Sequence, residues 1–184
     1  RLEMPELLYL VWPPLSLWIP TVFQELMMIW RGTKLLTVTL FEPQIPPNTG
    51  NIARLCGANN VKLDLVGSLG FDIDDKYLKR AGLDYWKFIN WEYFPDIPQY
   101  CENTFNKNFH LMTTKSKRPY TSQVFKENDY LIFGSETAGI SEKILTSYPD
   151  NTCTIPMENK NIRSLNLATS VGIVLYEALR QING

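Results

Sequence analysis

Ile155-Pro156-Met157, a polar stretch over 158–162, and then Arg163-Ser164-Leu165-Asn166-Leu167-Ala168 entering a helical pattern form the stretch on which the fold turns. Val171, Val174, Leu175, Ala178, Leu179 and Ile182 lie at i, i+3, i+4, i+7, i+8 and i+11, one apolar stripe of helical period. The entry to that helix is unusual, because Arg163, Ser164 and Asn166 alternate with Leu165 and Leu167. Two readings stand side by side: a Ser or Asn cap on a terminal helix, or polar groups belonging to a site. Ser164, Ala168 and Gly172 recur every four residues, a small-residue seam that lets another backbone come close.

Outward from this stretch, strands and helices alternate. Strands are expected over 35–41, 61–66, 88–94, 108–112, 129–133 and 152–155. Helices are expected over 50–58, capped by Asn48 or Thr49, over 97–105, from Ser141, and after Asp74 or Asp75 to about Gly82. The prolines within 42–47 assign that segment to a loop. The alternation predicts an α/β domain with a mainly parallel sheet flanked by helices.

Of 184 residues, 45% are apolar and 20% charged, which are globular values and enough chain for a real core. A net charge of −1 supplies no global basic field, so contact with nucleic acid must use a local patch. Cys56, Cys101 and Cys153 are far apart, and His110 is the single histidine. That pattern offers neither a zinc-ligand spacing nor a disulfide framework, so no metal is expected and the usage fits a reducing compartment. Histidine-dependent nucleophilic chemistry must run through His110, whose apolar, strand-like setting favours a packed ring.

Residues 1–33 differ in composition. They hold Trp12, Trp18 and Trp30, and Pro5, Pro13, Pro14 and Pro20 interrupt an apolar tract that also contains Gln24 and Glu25. The tract reads as an N-terminal extension of uncertain role, neither a signal peptide nor a clean membrane span. Residues 34–184 form the expected single domain, in which the two signs of charge cancel.

Three constellations could carry chemistry. Asn48-Thr49-Gly50-Asn51-Ile52-Ala53-Arg54 follows the first strand, at the end where open α/β sheets place ligands. Asn51 and Arg54, three apart, share a helix face, either as solvated groups or in a buried polar role. Phe133-Gly134-Ser135-Glu136-Thr137-Ala138-Gly139-Ile140-Ser141 has the glycine spacing of a phosphate loop, but Ile140 stands where the lysine is needed. A glycine-rich turn with exposed N–H groups and the Glu136 carboxylate is what remains. The span 107–126 carries Lys107, Lys115, Lys117, Arg118 and Lys126, interleaved with Phe109, Tyr120 and Phe125, and includes no carboxylate. It is the one block able to attract a phosphate backbone, or else a solvated loop.

Taken in order, E-P-Q-I-P-P-N-T-G-N-I-A-R-L-C from Glu42, L-G-F-D-I-D-D-K from Leu69, A-G-L-D-Y from Ala81, F-G-S-E-T-A-G-I from Phe133, I-P-M from Ile155 and R-S-L-N-L-A-T-S-V from Arg163 resemble the SPOUT class of RNA methyltransferases. The chain is most similar to the TrmL-like family that methylates the ribose 2′-hydroxyl of the wobble nucleotide, cytidine or uridine 34, in certain tRNAs. The resemblance spans about 35–181. It implies a C-terminal deep trefoil knot, S-adenosylmethionine as methyl donor, tRNA as substrate, a homodimer and a cytoplasmic setting. It implies cofactor contacts at Met112, Thr113, Gly134, Glu136, Ile155, Met157, Ser164 and Leu165. It further implies catalytic roles for Arg54, Glu136, Ser164 and Asn166, and RNA contacts at Asn48, Arg54, Lys115, Lys117, Arg118 and Arg163. Ser135 and Ala138 depart from the pattern, which commonly has a proline and a basic residue there. A non-catalytic RNA-binding module, or methylation at another RNA position, is the alternative.

Overall fold

A computed structural model describes residues 36–72 and 86–184 of the chain. The extension expected over 1–33 and the helix expected after Asp74 or Asp75 lie outside the described residues.

Six strands are described: β1 (Thr37–Phe41), β2 (Lys62–Val66), β3 (Trp91–Phe94), β4 (Phe109–Met112), β5 (Tyr130–Phe133) and β6 (Thr152–Cys153). They form one sheet in the order β3-β2-β1-β5-β4-β6, and every pairing is parallel. β1 is central. Thr39 lies between Asp64 and Ile132, and Leu40 between Leu65 and Phe133. All five residues of β1 are buried, as a strand covered on both faces requires. On one face α1 (Pro46–Ala58) and α4 (Leu167–Asn183) cover a core of Leu36, Val38, Leu40, Ile52, Leu63, Leu131, Val171 and Leu175. On the other, α2 (Ile97–Thr104) and α3 (Glu142–Ser147) cover Phe41, Val66, Phe109, Leu111 and Ile132. The stripe on the last helix is this packing made visible: Val171, Val174, Leu175 and Ala178 are buried.

Three expectations need correction. α1 starts at Pro46, inside the segment assigned to a loop, because Pro46 and Pro47 occupy the first helical positions, where a proline loses no hydrogen bond and its fixed φ already suits the helix. Its N-cap is then Ile45, and Asn48 and Thr49 are buried inside the helix rather than capping it. The third strand begins at Trp91, since Trp86–Phe88 closes into a 3-10 turn with Ile89 N–H bonded to the Trp86 carbonyl. The last strand has only two ladder residues, but Thr154 continues its line. Thr154 N–H donates to the Arg118 carbonyl (2.8 Å) and its own carbonyl accepts from Tyr120 N–H (2.8 Å). The segment 152–154 therefore runs between β4 on one side and the returning 118–120 chain on the other.

Candidate functional site

The carboxyl ends of β4 and β5, with the loops after β5 and β6 and the approach to α4, surround a cleft of about 780 Å³. Its size is that of a site for a small organic ligand. Met112 and Thr113 come from β4 and its end, Gly134 and Glu136 from the turn after β5, Ile155 and Met157 from beyond β6, and Ser164 and Leu165 from the approach to α4. All eight expected cofactor contacts thus line one cleft. Asn48, Lys115, Arg163 and Asn166 line it too.

The turn after β5 is possible only because residue 134 is glycine. A Cβ there would lie 2.0 Å from the Gly139 carbonyl carbon and 2.2 Å from Ile140 N, both backbone. Gly139 reverses the chain at φ 68°, in the left-handed region that glycine enters without cost. The expected exposed N–H groups are partly used up inside this turn. Gly139 N–H donates to the Ser135 carbonyl (2.9 Å) and Ala138 N–H to Ser135 Oγ (3.1 Å). A phosphate-cradling loop needs those donors to face a ligand, so the missing lysine and the donors consumed at Ala138 and Gly139 both count against the phosphate-loop reading.

Glu136 is the hub of the cleft wall. Its Oε2 accepts from Gln44 N–H (2.9 Å), and its Oε1 accepts from Ile45 N–H (3.3 Å) and Asn48 Nδ2 (2.9 Å). Asn48 Oδ1 in turn accepts from Asn166 Nδ2 (2.9 Å). Asn166 Oδ1 meanwhile accepts from Thr169 N–H (3.3 Å), so this residue caps α4 and joins the network at once. One side chain thus both caps the helix and lines the cleft. Arg163 and Ser164 stand before the helix, exposed, on the cleft rim.

Other expected residues lie elsewhere. Asn51 and Arg54 share the exposed face of α1, and neither lines the cleft. Lys117 and Arg118 are exposed on the loop after β4 but do not line the cleft. Two cations of the basic span are in ion pairs among the described residues, Lys115 with Glu142 and Arg118 with Asp150, and Lys107 donates to the Tyr130 hydroxyl (3.0 Å). His110 is at the other end of β4, packed on Phe125 with Nε2 2.9 Å from Asp129 Oδ2, so it cannot serve this cleft. Cys153 is buried in β6, with Sγ 3.9 Å from Met112 Sδ, and burial pushes its thiol up to about 12. Sequence reading missed the Gln44 and Ile45 amides. A helix opening on two prolines was the available signal, because the chain before it must find its own acceptors.

The model of the SpoU rRNA Methylase family matches residues 35–176. The chain belongs to that family. Among SpoU relatives, a Geobacillus stearothermophilus protein is 46% identical over 149 residues, covering 79% of this chain and 94% of the relative. A tRNA (cytidine(34)-2′-O)-methyltransferase of Methylovorus glucosotrophus is 41% identical over 145 residues, covering 78% and 94%. A solved structure concerned with 2-OH methylation of C/U34 on tRNA superposes with a TM-score of 0.75 at 36% identity, covering 80% of this chain and 95% of that one.

Proposed function

We propose that this chain is an S-adenosylmethionine-dependent tRNA methyltransferase that methylates the ribose 2′-hydroxyl of the wobble nucleotide, cytidine or uridine 34, with residues 34–184 as its catalytic domain. The observation that carries this reading is the convergence of Asn48 and Asn166 with the eight expected cofactor positions, Glu136 and Ser164 among them, on one cleft of about 780 Å³, in a chain whose relatives are named for methylation of that nucleotide.

The cleft fits the cofactor. It combines apolar walls, from Met112, Ile155, Met157 and Leu165, with a polar side formed by Asn48, Glu136 and Asn166. S-adenosylmethionine supplies an electrophilic methyl group. The protein's task is positioning, because displacement at a methyl carbon depends on alignment more than on acid–base power. Glu136 holds the cleft wall by accepting from three N–H donors, which makes it a staple of that wall. Arg54 offers a planar fork of N–H donors, which suits orientation of a ribose hydroxyl and its phosphate. Because Arg54 is off the cleft wall of its own chain, the reading gives it to a second subunit's site, in a homodimer. Exposed Tyr176 on α4 supports a pairing surface beside α1. The 152–154 segment, held between β4 and 118–120, supports a trefoil knot as its threading. No described helix is long and apolar enough to cross a membrane; a cytoplasmic setting follows in this reading from tRNA as the substrate.

Protein given methyl-labelled S-adenosylmethionine and total tRNA is expected to yield 2′-O-methylated nucleotide 34, located by mass spectrometry. Label at another nucleotide would move the site assignment. Cofactor binding with no transfer to any RNA would leave a non-catalytic RNA-binding module.

A further inference from the structure

The L-G-F motif at 69–71 is absorbed by nothing in the cleft, yet it touches the segment that holds the cleft's hub. Gly70 N–H donates to the Pro43 carbonyl (3.0 Å). A Cβ on Gly70 would lie 2.7 Å from Gln44 Cα and 2.8 Å from the Gln44 carbonyl oxygen. Both are backbone, so a side chain at 70 could be admitted only by moving 43–45. Gly67 differs: at φ 84° its Cβ would meet only side chains, Glu42 Cγ and Ile97 Cδ1, both at 2.9 Å.

The braced segment is itself strained. Glu42 stands at φ 48°, in the left-handed region that a non-glycine residue enters at a cost. Such a conformation persists only where its surroundings over-determine it. Glu42 N–H donates to the Val66 carbonyl (2.8 Å), and Gln44 Nε2 donates to the Glu42 carbonyl (2.7 Å). From the opposite side come the two Glu136 bonds to Gln44 and Ile45 N–H. Residues 42–45 are thus clamped between the glycine turn after β2 and the carboxylate after β5.

We infer that Gly70 is a positioning residue of the cleft, acting through the backbone of Gln44 and Ile45 on Glu136. The absence of a side chain at 70 lets the two amides meet the carboxylate, and the carboxylate then presents the Asn48–Asn166 pair. Motif 69–71 thereby serves the same site as the motif at 42, although it contributes no atom to the cleft wall.

The inference rests on the methyltransferase reading for its activity readout but not for its structural one. Gly70→Ala is expected to weaken S-adenosylmethionine binding about tenfold by calorimetry, and Glu136→Ala to a similar degree. Gly57→Ala, whose new Cβ meets only the Ile89 side chain at 3.0 Å, serves as the control with binding unchanged. The double variant Gly70→Ala/Glu136→Ala should bind no worse than the weaker single, because both changes break one device. Additive losses, or Gly70→Ala binding within twofold of wild type, overturn the inference. A second measurement needs neither the cofactor nor a folded Gly70 variant. Glu136→Ala should accelerate amide hydrogen exchange at Gly70 as well as at Gln44 and Ile45. Unchanged exchange at Gly70 would also overturn it, whereas failure of wild type to bind the cofactor would count against the methyltransferase reading alone.

Discussion

Two chains of three polar side chains tie this molecule together, and they differ in what surrounds them. Asn166–Asn48–Glu136 lies at the carboxyl edge of the sheet, half-buried and open to the cleft. Thr39–Tyr100–Asp64 lies under α2: the Tyr100 hydroxyl is 2.7 Å from Thr39 Oγ1 and donates to Asp64 Oδ2 (2.8 Å), and all three residues are buried. Burial drives the Asp64 carboxyl and the Tyr100 phenol up from their ordinary values, before the neighbouring Lys62 and Asp64 charges act. Cys56, pushed up to about 12, is likewise moved by burial. Strong perturbation often marks a functional site. Here it marks enclosure, and the edge network is recognised instead by geometry: polar groups from distant segments that converge on an open volume.

The largest test of this contrast is to remove one hub from each network. Glu136→Ala should lower methyl transfer about 100-fold, roughly 2.7 kcal/mol of transition-state stabilisation. Its melting temperature should fall by only a few degrees, because solvent can reach the freed Gln44 and Asn48 donors. Tyr100→Phe should do the reverse. It leaves Asp64 Oδ2 and Thr39 Oγ1 buried without their shared partner, at about 1–3 kcal/mol, while kcat below the melting transition stays within twofold. Steady-state kinetics and thermal melts on both variants decide. If Tyr100→Phe slows transfer as much as Glu136→Ala, the division between the two networks fails.

Much of the sheet was legible because a strand buried on both faces is largely apolar, as Leu131-Ile132-Phe133 of β5 is. The entry to α1 was not, because the prolines at 46 and 47 signal loop and first helical turn equally well until the chain direction is known. That ambiguity hid the role of Asn48, which looks like a cap in sequence and is a link to Glu136 in space. Across 118 residues, the bond between Asn166 and Asn48 leaves no local periodicity to read. The family resemblance brought the cleft residues together in advance. It carried no information about Gln44 and Ile45, whose contribution is backbone N–H and hence independent of side-chain identity.

A smaller effect separates the networks by pH. Asp64 is raised in the folded state, so the native protein holds its proton more tightly than the unfolded chain does. Between the unfolded value of 3.8 and the raised folded one, stability contributed by this group therefore falls as pH rises. This is opposite to the usual carboxylate in an ion pair. Asp64→Asn cannot titrate. Denaturant melts should show wild type gaining stability relative to Asp64→Asn as pH drops toward 4, with the difference flat above neutrality. A difference that shrinks on acidification would mean that Lys62, whose Nζ is 3.0 Å from Asp64 Oδ1, outweighs burial.

The smallest expected effect applies the same distinction, satisfied within or facing outward, to the cations around the cleft. Lys115 is paired with Glu142 and Arg118 with Asp150, whereas Lys117 and Arg163 are exposed and have no ion-pair partner among the described residues. A cation that must leave a carboxylate to meet a phosphate gains less from the exchange, though an exposed pair holds it by no more than about 1 kcal/mol. Each phosphate neutralised adds roughly 0.7–0.9 to the slope of log binding constant against log salt. Lys117→Ala with Arg163→Ala should therefore flatten the slope for tRNA by about 1.5, and Lys115→Ala with Arg118→Ala by about half that. Fluorescence anisotropy at four or five salt concentrations resolves the difference. Equal slopes for the two pairs would show that RNA displaces Glu142 and Asp150 at no cost, and that partnering within the chain does not govern which cations reach the RNA.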